Sequence, residues 1–332
     1  MSIQLGLTVY SMTNEWLSGK YTLPQLVDEI GRRKLGPGIE MIGFQSLRGF
    51  PNKVDKRDIK DFLDAVERNE LILTSLAGNA DIATHGKQWM DTDQSVAFMK
   101  PQIELAGEMG FPVMRIQIGL TPEVLEKLEP IAAKAKVKLG MEIHAPEGAN
   151  TPKVLATREV YDRIDSEYLG FVPDFSATMR AIPPGMLSKL TGAGLSQAGA
   201  ELLTNLWKSE GAPIQRYLAF AEQARAAGEP ELPIAQAKLI FTMFGRQTPE
   251  SWAELLPRTV HIHGKFYEVN EACTESASID YAAILKVFAN AGKNISMSSE
   301  WEGHAFLDME EQCAFDMVER HHKMCRHMID QL

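Results

Sequence analysis

Cysteine is scarce in this sequence. Only Cys273, Cys313 and Cys325 occur among 332 residues, with no C-x-x-C spacing and no even-numbered set. That argues against a disulfide framework and a thiolate zinc site, and the three are expected to be free thiols in a reducing compartment. Long apolar runs are also missing. No stretch approaches the roughly 18 apolar residues of a membrane span. The strand-like Ile3–Val9 opens the chain without a charged and apolar leader before it, so no signal peptide is expected. A basic excess is missing too: 34 Lys and Arg stand against 44 Asp and Glu, a net charge of −10. Phosphate backbones and anionic bilayers need a basic face, so neither nucleic acid nor membrane is an expected partner. The first strand is not followed by a Gly-rich dinucleotide fingerprint; Thr8-Val-Tyr-Ser-Met-Thr-Asn14 stands there instead. These absences together predict a cytoplasmic protein without a nicotinamide fold.

What is present is ordinary globular material, 45% hydrophobic and 23% charged. Eight strand-like stretches alternate with helical patterns. They are Ile3–Val9, Gly38–Phe44, Leu71–Leu76, Val113–Ile118, Leu139–Ile143, Leu169–Asp174, Thr259–Lys265 and Asn294–Glu300. A last amphipathic helix is expected over about Asp308–Met328. Strands alternating with helices imply parallel pairing through right-handed crossovers. Eight such units predict an α/β fold, a (β/α)8 TIM barrel, as one domain over residues 1–332. A doubly wound open sheet is the other arrangement such a pattern allows. Strands six and seven are separated by about 80 residues rich in helical patterns, so residues 176–257 are expected to form a helical insertion over the barrel mouth. The sixteen methionines are read as core filling.

Lys138–Pro146 organises the rest. Alternation sends Leu139, Met141 and Ile143 to one face and Gly140, Glu142 and His144 to the other. A carboxylate and an imidazole thus stand at the carboxyl end of a strand, where barrel active sites gather. Each later strand also ends in a polar group: Asp174, His263 and Glu300. Arg115 and Gln117 share a face of strand four, and His261, His263 and Lys265 share a face of strand seven. A lone Glu at a strand end ordinarily pairs with Lys or Arg, so convergence is what must be tested. If Glu142, Asp174, His263 and Glu300 do converge, they form a hard, oxygen-rich site with one nitrogen. Such a set suits Mn²⁺ or Mg²⁺, with Co²⁺, Fe²⁺ or Zn²⁺ as further candidates. Of the other histidines, His261 is expected to be a hydrogen-bonded interior residue, and His144 either a general base or a support for the ligands. His321, His322 and His327 are expected on the helix surface.

Met-Glu142-Ile-His, Pro-Asp174, His-Ile-His263-Gly-Lys and Ser-Glu300-Trp-Glu-Gly, in that order, resemble the xylose-isomerase-like TIM-barrel superfamily of sugar isomerases, 3-epimerases and inosose-processing enzymes. Tyr10–Glu15, Gly36–Ser46, Gly78–Asp81 and His144 resemble, more narrowly, the alpha subunits of bacterial C-glycoside deglycosidases. The resemblance implies one divalent metal, Mn²⁺ first, on Glu142, Asp174, His263 and Glu300, with His144, Glu142 and Glu300 as catalytic groups. It implies a metal-dependent lyase that cleaves 3-oxo C-glycosides by C2 proton abstraction and β-elimination, acting with a small beta subunit. Gln117, Lys265, Trp301 and His304 are substrate candidates. Trp16, Phe44, Trp301 and the stretch Met179–Leu187 are candidates for an apolar shelf under an aglycone. The Gly-Glu pair and nearby Arg that follow the metal histidine in epimerases are replaced by Gly264-Lys265-Phe266-Tyr267. Simple ketose epimerisation or isomerisation is therefore the second expectation. A metal-dependent endonuclease on the same barrel is a third; it would need more metal ligands and a basic face.

Overall fold

The structure is a computed structural model that describes residues 3–79, 89–117, 119–292, 294–306 and 312–332. Eight parallel strands follow one another round a barrel: β1 (Ile3–Thr8), β2 (Gly38–Ile42), β3 (Ile72–Ala77), β4 (Val113–Ile116), β5 (Lys138–Ile143), β6 (Leu169–Pro173), β7 (Ile262–Phe266) and β8 (Ile295–Trp301). Hydrogen-bonded neighbours run β6-β5-β4-β3-β2-β1-β8-β7. The barrel expectation holds, and the open-sheet alternative does not: β1 pairs with both β2 and β8. Between β6 and β7 there is no continuous ladder. Two parallel bridges close the seam, Phe171 to Thr259 and Asp174 to His263. Val260 N donates to Phe171 O at 3.0 Å across it.

Chemistry local to each turn starts and stops the helices. Thr22 and Gln25 form a reciprocal cap on Leu23–Arg32, as Asp91 and Gln94 do on Thr92–Met109. Thr121-Pro122 and Thr151-Pro152 open the helices before and after β5, with proline where its missing N–H costs nothing. Gly110, at φ +87°, ends the helix that leads into β4. Helix Ala314–Ile329 packs Phe315, Val318, His321, His322 and Cys325 inward. His321 and His322 are therefore buried, against expectation: spacing of three and four puts them on the apolar face with Val318 and Cys325. His327 is exposed, as expected. Asp308, the expected helix start, lies outside the described residues, as do Ile118 and Asp81.

Near the seam the wall is built from small residues. A Cβ on Gly140 would meet Val172 Cγ2 at 2.5 Å and Val260 Cγ2 at 2.9 Å. Val260 thus turns toward the position left by Gly140, because regular strand starts only at Ile262. Four helices, Pro184–Gly192, Gln197–Lys208, Pro213–Ala226 and Glu231–Met243, and the turns of Pro249–Arg258 occupy the span between β6 and β7. No helix among the described residues is long and apolar enough to cross a membrane.

Candidate active site

β5, β6, β7 and β8 deliver Glu142, Asp174, His263 and Glu300 to one point. One ligand atom from each lies within 4.8 Å of all the others, and all four residues are buried. His263 Nδ1 is the centre. Glu142 Oε1 is 2.7 Å from it, Glu300 Oε2 2.9 Å and Asp174 Oδ2 3.8 Å. The other ring nitrogen, Nε2, is held by Glu40 at 3.0 Å and 3.1 Å. Glu40 also receives His261 Nε2 at 3.1 Å, and Ser298 Oγ lies 2.9 Å from the same nitrogen. His261 is thus the hydrogen-bonded interior residue expected.

Electrostatics make all the carboxylates anionic. Burial opposes charge on Glu40, but His263 and His261 hold its carboxyl well below the usual range. Burial likewise opposes charge on Glu142, and Arg115 and His263 bring it down to about 2. Asp174 and Glu300 are lowered against burial chiefly by Lys265. For His263 burial disfavours the cation, yet Glu40, Glu300 and Glu142 push its pKa well up.

His263 Nδ1 thus faces three carboxylate oxygens at 2.7, 2.9 and 3.8 Å, a place suited to a positive charge. A proton on Nδ1 satisfies Glu142 Oε1 and leaves Asp174 Oδ2 and Glu300 Oε2 buried without a hydrogen-bond partner among the described residues. A cation satisfies all of them. Asp174 is already shaped for this, since Oδ1 accepts from Ser176 N at 2.7 Å and Oδ2 stays unused. The donor set fits a hard divalent ion, with Glu40 fixing the His263 tautomer from behind.

A cavity of about 450 Å³ opens on this group, lined by Tyr10, Phe44, Arg115, Gln117, His144, Met243 and Glu302 along with Glu142, Lys265 and Glu300. A larger groove of about 590 Å³ lies elsewhere, but exposed side chains such as Lys100 and Glu104 line it, without buried charges. His144 Nδ1 sits 2.6 Å from Ala145 O. A carbonyl only accepts, so Nδ1 carries the hydrogen of this contact, and Nε2 is the lone-pair nitrogen of the neutral ring. Lys265 contacts Glu300 Oε1 at 3.0 Å, Glu302 Oε2 at 3.1 Å and Asp174 Oδ2 at 3.6 Å, and these carboxylates keep it charged in spite of burial. Tyr10 OH donates to Glu302 Oε1 at 3.1 Å, and Tyr10 packs edge-on to His304.

The structure separates the remaining candidates. Gln117 and Phe44 border the cavity; Trp16 lines a different groove. Trp301 is 2% exposed, and its Nε1 donates to Tyr267 O at 3.1 Å, on the strand face opposite Glu300. It is a wall residue of the core, not a surface that a ligand meets. Met179, Ile182 and Met186 are core as well, whereas Phe44, also a candidate, and Met243 line the cavity. Sequence reasoning missed Glu40, Tyr10 and Glu302. Glu40 stands inside an apolar strand, and that isolation was the available signal.

The sequence matches the xylose isomerase-like TIM barrel family over residues 33–316. The chain belongs to that family. Among family relatives, the C-glycoside deglycosidase alpha subunit of Arthrobacter globiformis is 35% identical, the match covering 99% of this chain and 93% of that one. The 3'-dehydrocarminate deglycosidase alpha subunit of Microbacterium sp. is 31% identical over 99% of this chain and 96% of its own. D-psicose 3-epimerase from Clostridium cellulolyticum H10 shares the fold, with a TM-score of 0.56 over 99% of this chain and 98% of the other, at 9% identity.

Proposed function

We propose that this protein is a metal-dependent lyase, the catalytic subunit of a C-glycoside deglycosidase acting on a 3-oxo C-glycoside. The observation that carries the reading is the set of carboxylate oxygens around His263 Nδ1, two of them without a hydrogen-bond partner, beside a cavity that holds His144. The names of the two relatives, which cover nearly the whole chain, support the substrate class. Glu142, Asp174, His263 and Glu300 would hold a divalent ion, Mn²⁺ by the hardness of the set, which supplies Lewis acidity toward a carbonyl and its neighbouring hydroxyl.

His144 Nε2 takes the proton from C2, the carbon beside the ketone. The C2–H electron pair passes into the enolate and then forms the C1–C2 double bond. The C1–aglycone bond breaks, the aglycone carbon leaves with the electron pair of that bond, and the proton held on His144 Nε2 passes to it. Phe44 and Met243 give an aromatic aglycone an apolar surface. Lys265, already occupied by three carboxylates, balances the charge of the site. On this reading the protein works in the cytoplasm with a small second subunit, in line with the relatives' designation as alpha subunits.

Elemental analysis of the purified protein, then incubation with a 3-oxo C-glycoside and with free ketoses, with and without a small co-encoded protein, tests this. One equivalent of metal and release of the aglycone are expected. Metal-free protein, or conversion of ketoses alone, would reject the lyase assignment.

A further inference from the structure

The cavity holds two buried cationic side chains with unequal numbers of charge partners. Lys265 Nζ lies within ion-pair distance of three carboxylate oxygens, at 3.0, 3.1 and 3.6 Å. Arg115 is 6% exposed, yet among the described residues neither Nε nor Nη1 has a hydrogen-bond partner. Nη1 lies 3.7 Å from Glu142 Oε2, near enough for attraction and too far for a hydrogen bond. A buried donor left unpaired is costly, so two of them at one guanidinium call for an occupant. Arg115 lines the cavity together with His144, Glu142 and Glu300.

We propose that Arg115 is a further catalytic residue, whose unpaired N–H groups receive the substrate oxygen that gains charge as the neighbouring carbon is deprotonated. This rests on the enolising chemistry proposed above. When the base takes the proton, the C–H pair becomes a carbon–carbon double bond. The carbonyl π pair moves onto oxygen, and Arg115 donates N–H groups to that oxygen. A fixed guanidinium in a water-poor site is worth most where charge develops. The ligand class is a planar oxygen anion of enolate or enediolate type, not a neutral polyol.

Oxalate, a planar dianion with two adjacent oxygens, is the probe. Wild type, Arg115→Lys and Arg115→Met are each measured for Mn²⁺ affinity, loaded with Mn²⁺, and titrated with oxalate by calorimetry. Arg115→Lys keeps the charge beside Glu142 and loses the planar fork. Its Mn²⁺ affinity should stay within about twofold and its oxalate affinity fall about tenfold, with Arg115→Met falling roughly a hundredfold. On a 3-oxo C-glycoside, kcat should fall in the same order, more than KM rises. If Arg115→Met does not fold by circular dichroism, Arg115→Lys alone decides. Unchanged oxalate binding in Arg115→Lys, or a change in Mn²⁺ affinity alone, would overturn the proposal and leave Arg115 as a counter-charge for Glu142. Oxalate binding that depends on Arg115 in a protein that leaves 3-oxo C-glycosides intact would keep this inference and reject the substrate. If wild type takes up no Mn²⁺, the metal reading falls, and the same titrations on metal-free protein decide Arg115.

Discussion

Two pairs of histidines are buried to 1% exposure or less, His261 and His263 on β7 and His321 and His322 on the last helix. Burial is equal; the neighbours are not. The helix pair has no carboxylate partner among the described residues, and the Arg326 cation near His322 further disfavours charge on its ring. His321 Nδ1 is hydrogen-bonded to Ser299 Oγ at 2.7 Å, and its ring stacks on Phe266. His322 Nε2 donates to Gly6 O at 3.0 Å. Burial then wins, pushing His321 well down and His322 to about 4. His263 is ringed by Glu40, Glu142 and Glu300, which overcome burial and draw positive charge to its ring. Depth in the core makes a histidine neutral and structural. Carboxylates aimed at one nitrogen make it a corner that could hold a cation.

The sharpest way to break that contrast is to remove a carboxylate from the β7 site. Glu300→Gln or Glu142→Gln should abolish turnover and lower Mn²⁺ affinity by about a hundredfold or more. A variant that keeps both would end the metal assignment. His144→Ala comes next: turnover should drop about 10²–10⁴-fold at unchanged metal content, and a fully active variant removes His144 from the base role. Glu40→Gln probes the rear of His263. Metal affinity should fall about 10–100-fold while the fold melts as wild type, and equal affinity would make Glu40 purely structural. The smallest effect belongs to the other pair. His322 is held near 4 when folded and titrates near 6.5 when unfolded, so the unfolded chain binds the extra proton first. Stability should therefore fall as pH drops from about 6.5 toward 4, by roughly 2 kcal/mol at pH 5 from this group. Urea midpoints of wild type and His322→Gln at pH 7 and pH 5 check it; equal acid losses in both would count against the assignment.

Period-two alternation made the barrel and its strand-end residues legible. Glu142, Asp174, His263 and Glu300 stand at successive strand ends, and convergence follows from barrel geometry. Glu40 was hidden because its partners His261 and His263 lie more than two hundred residues away, and only the closed barrel brings them across. His321 and His322 are buried because their spacing puts them on the apolar face of the last helix with Val318 and Cys325. Trp301 faces away from Glu300 because adjacent strand residues point to opposite sides.

Asp174 and His263 do more than supply donor atoms. Their backbones also form one of the two bridges between β6 and β7, the joint that has no continuous ladder among the described residues. An ion held by both would be a clasp on the ring as well as a tool inside it. Chelation should then slacken a whole wall of the molecule, so that protection of β6 and β7 amides from hydrogen exchange and metal content rise and fall together.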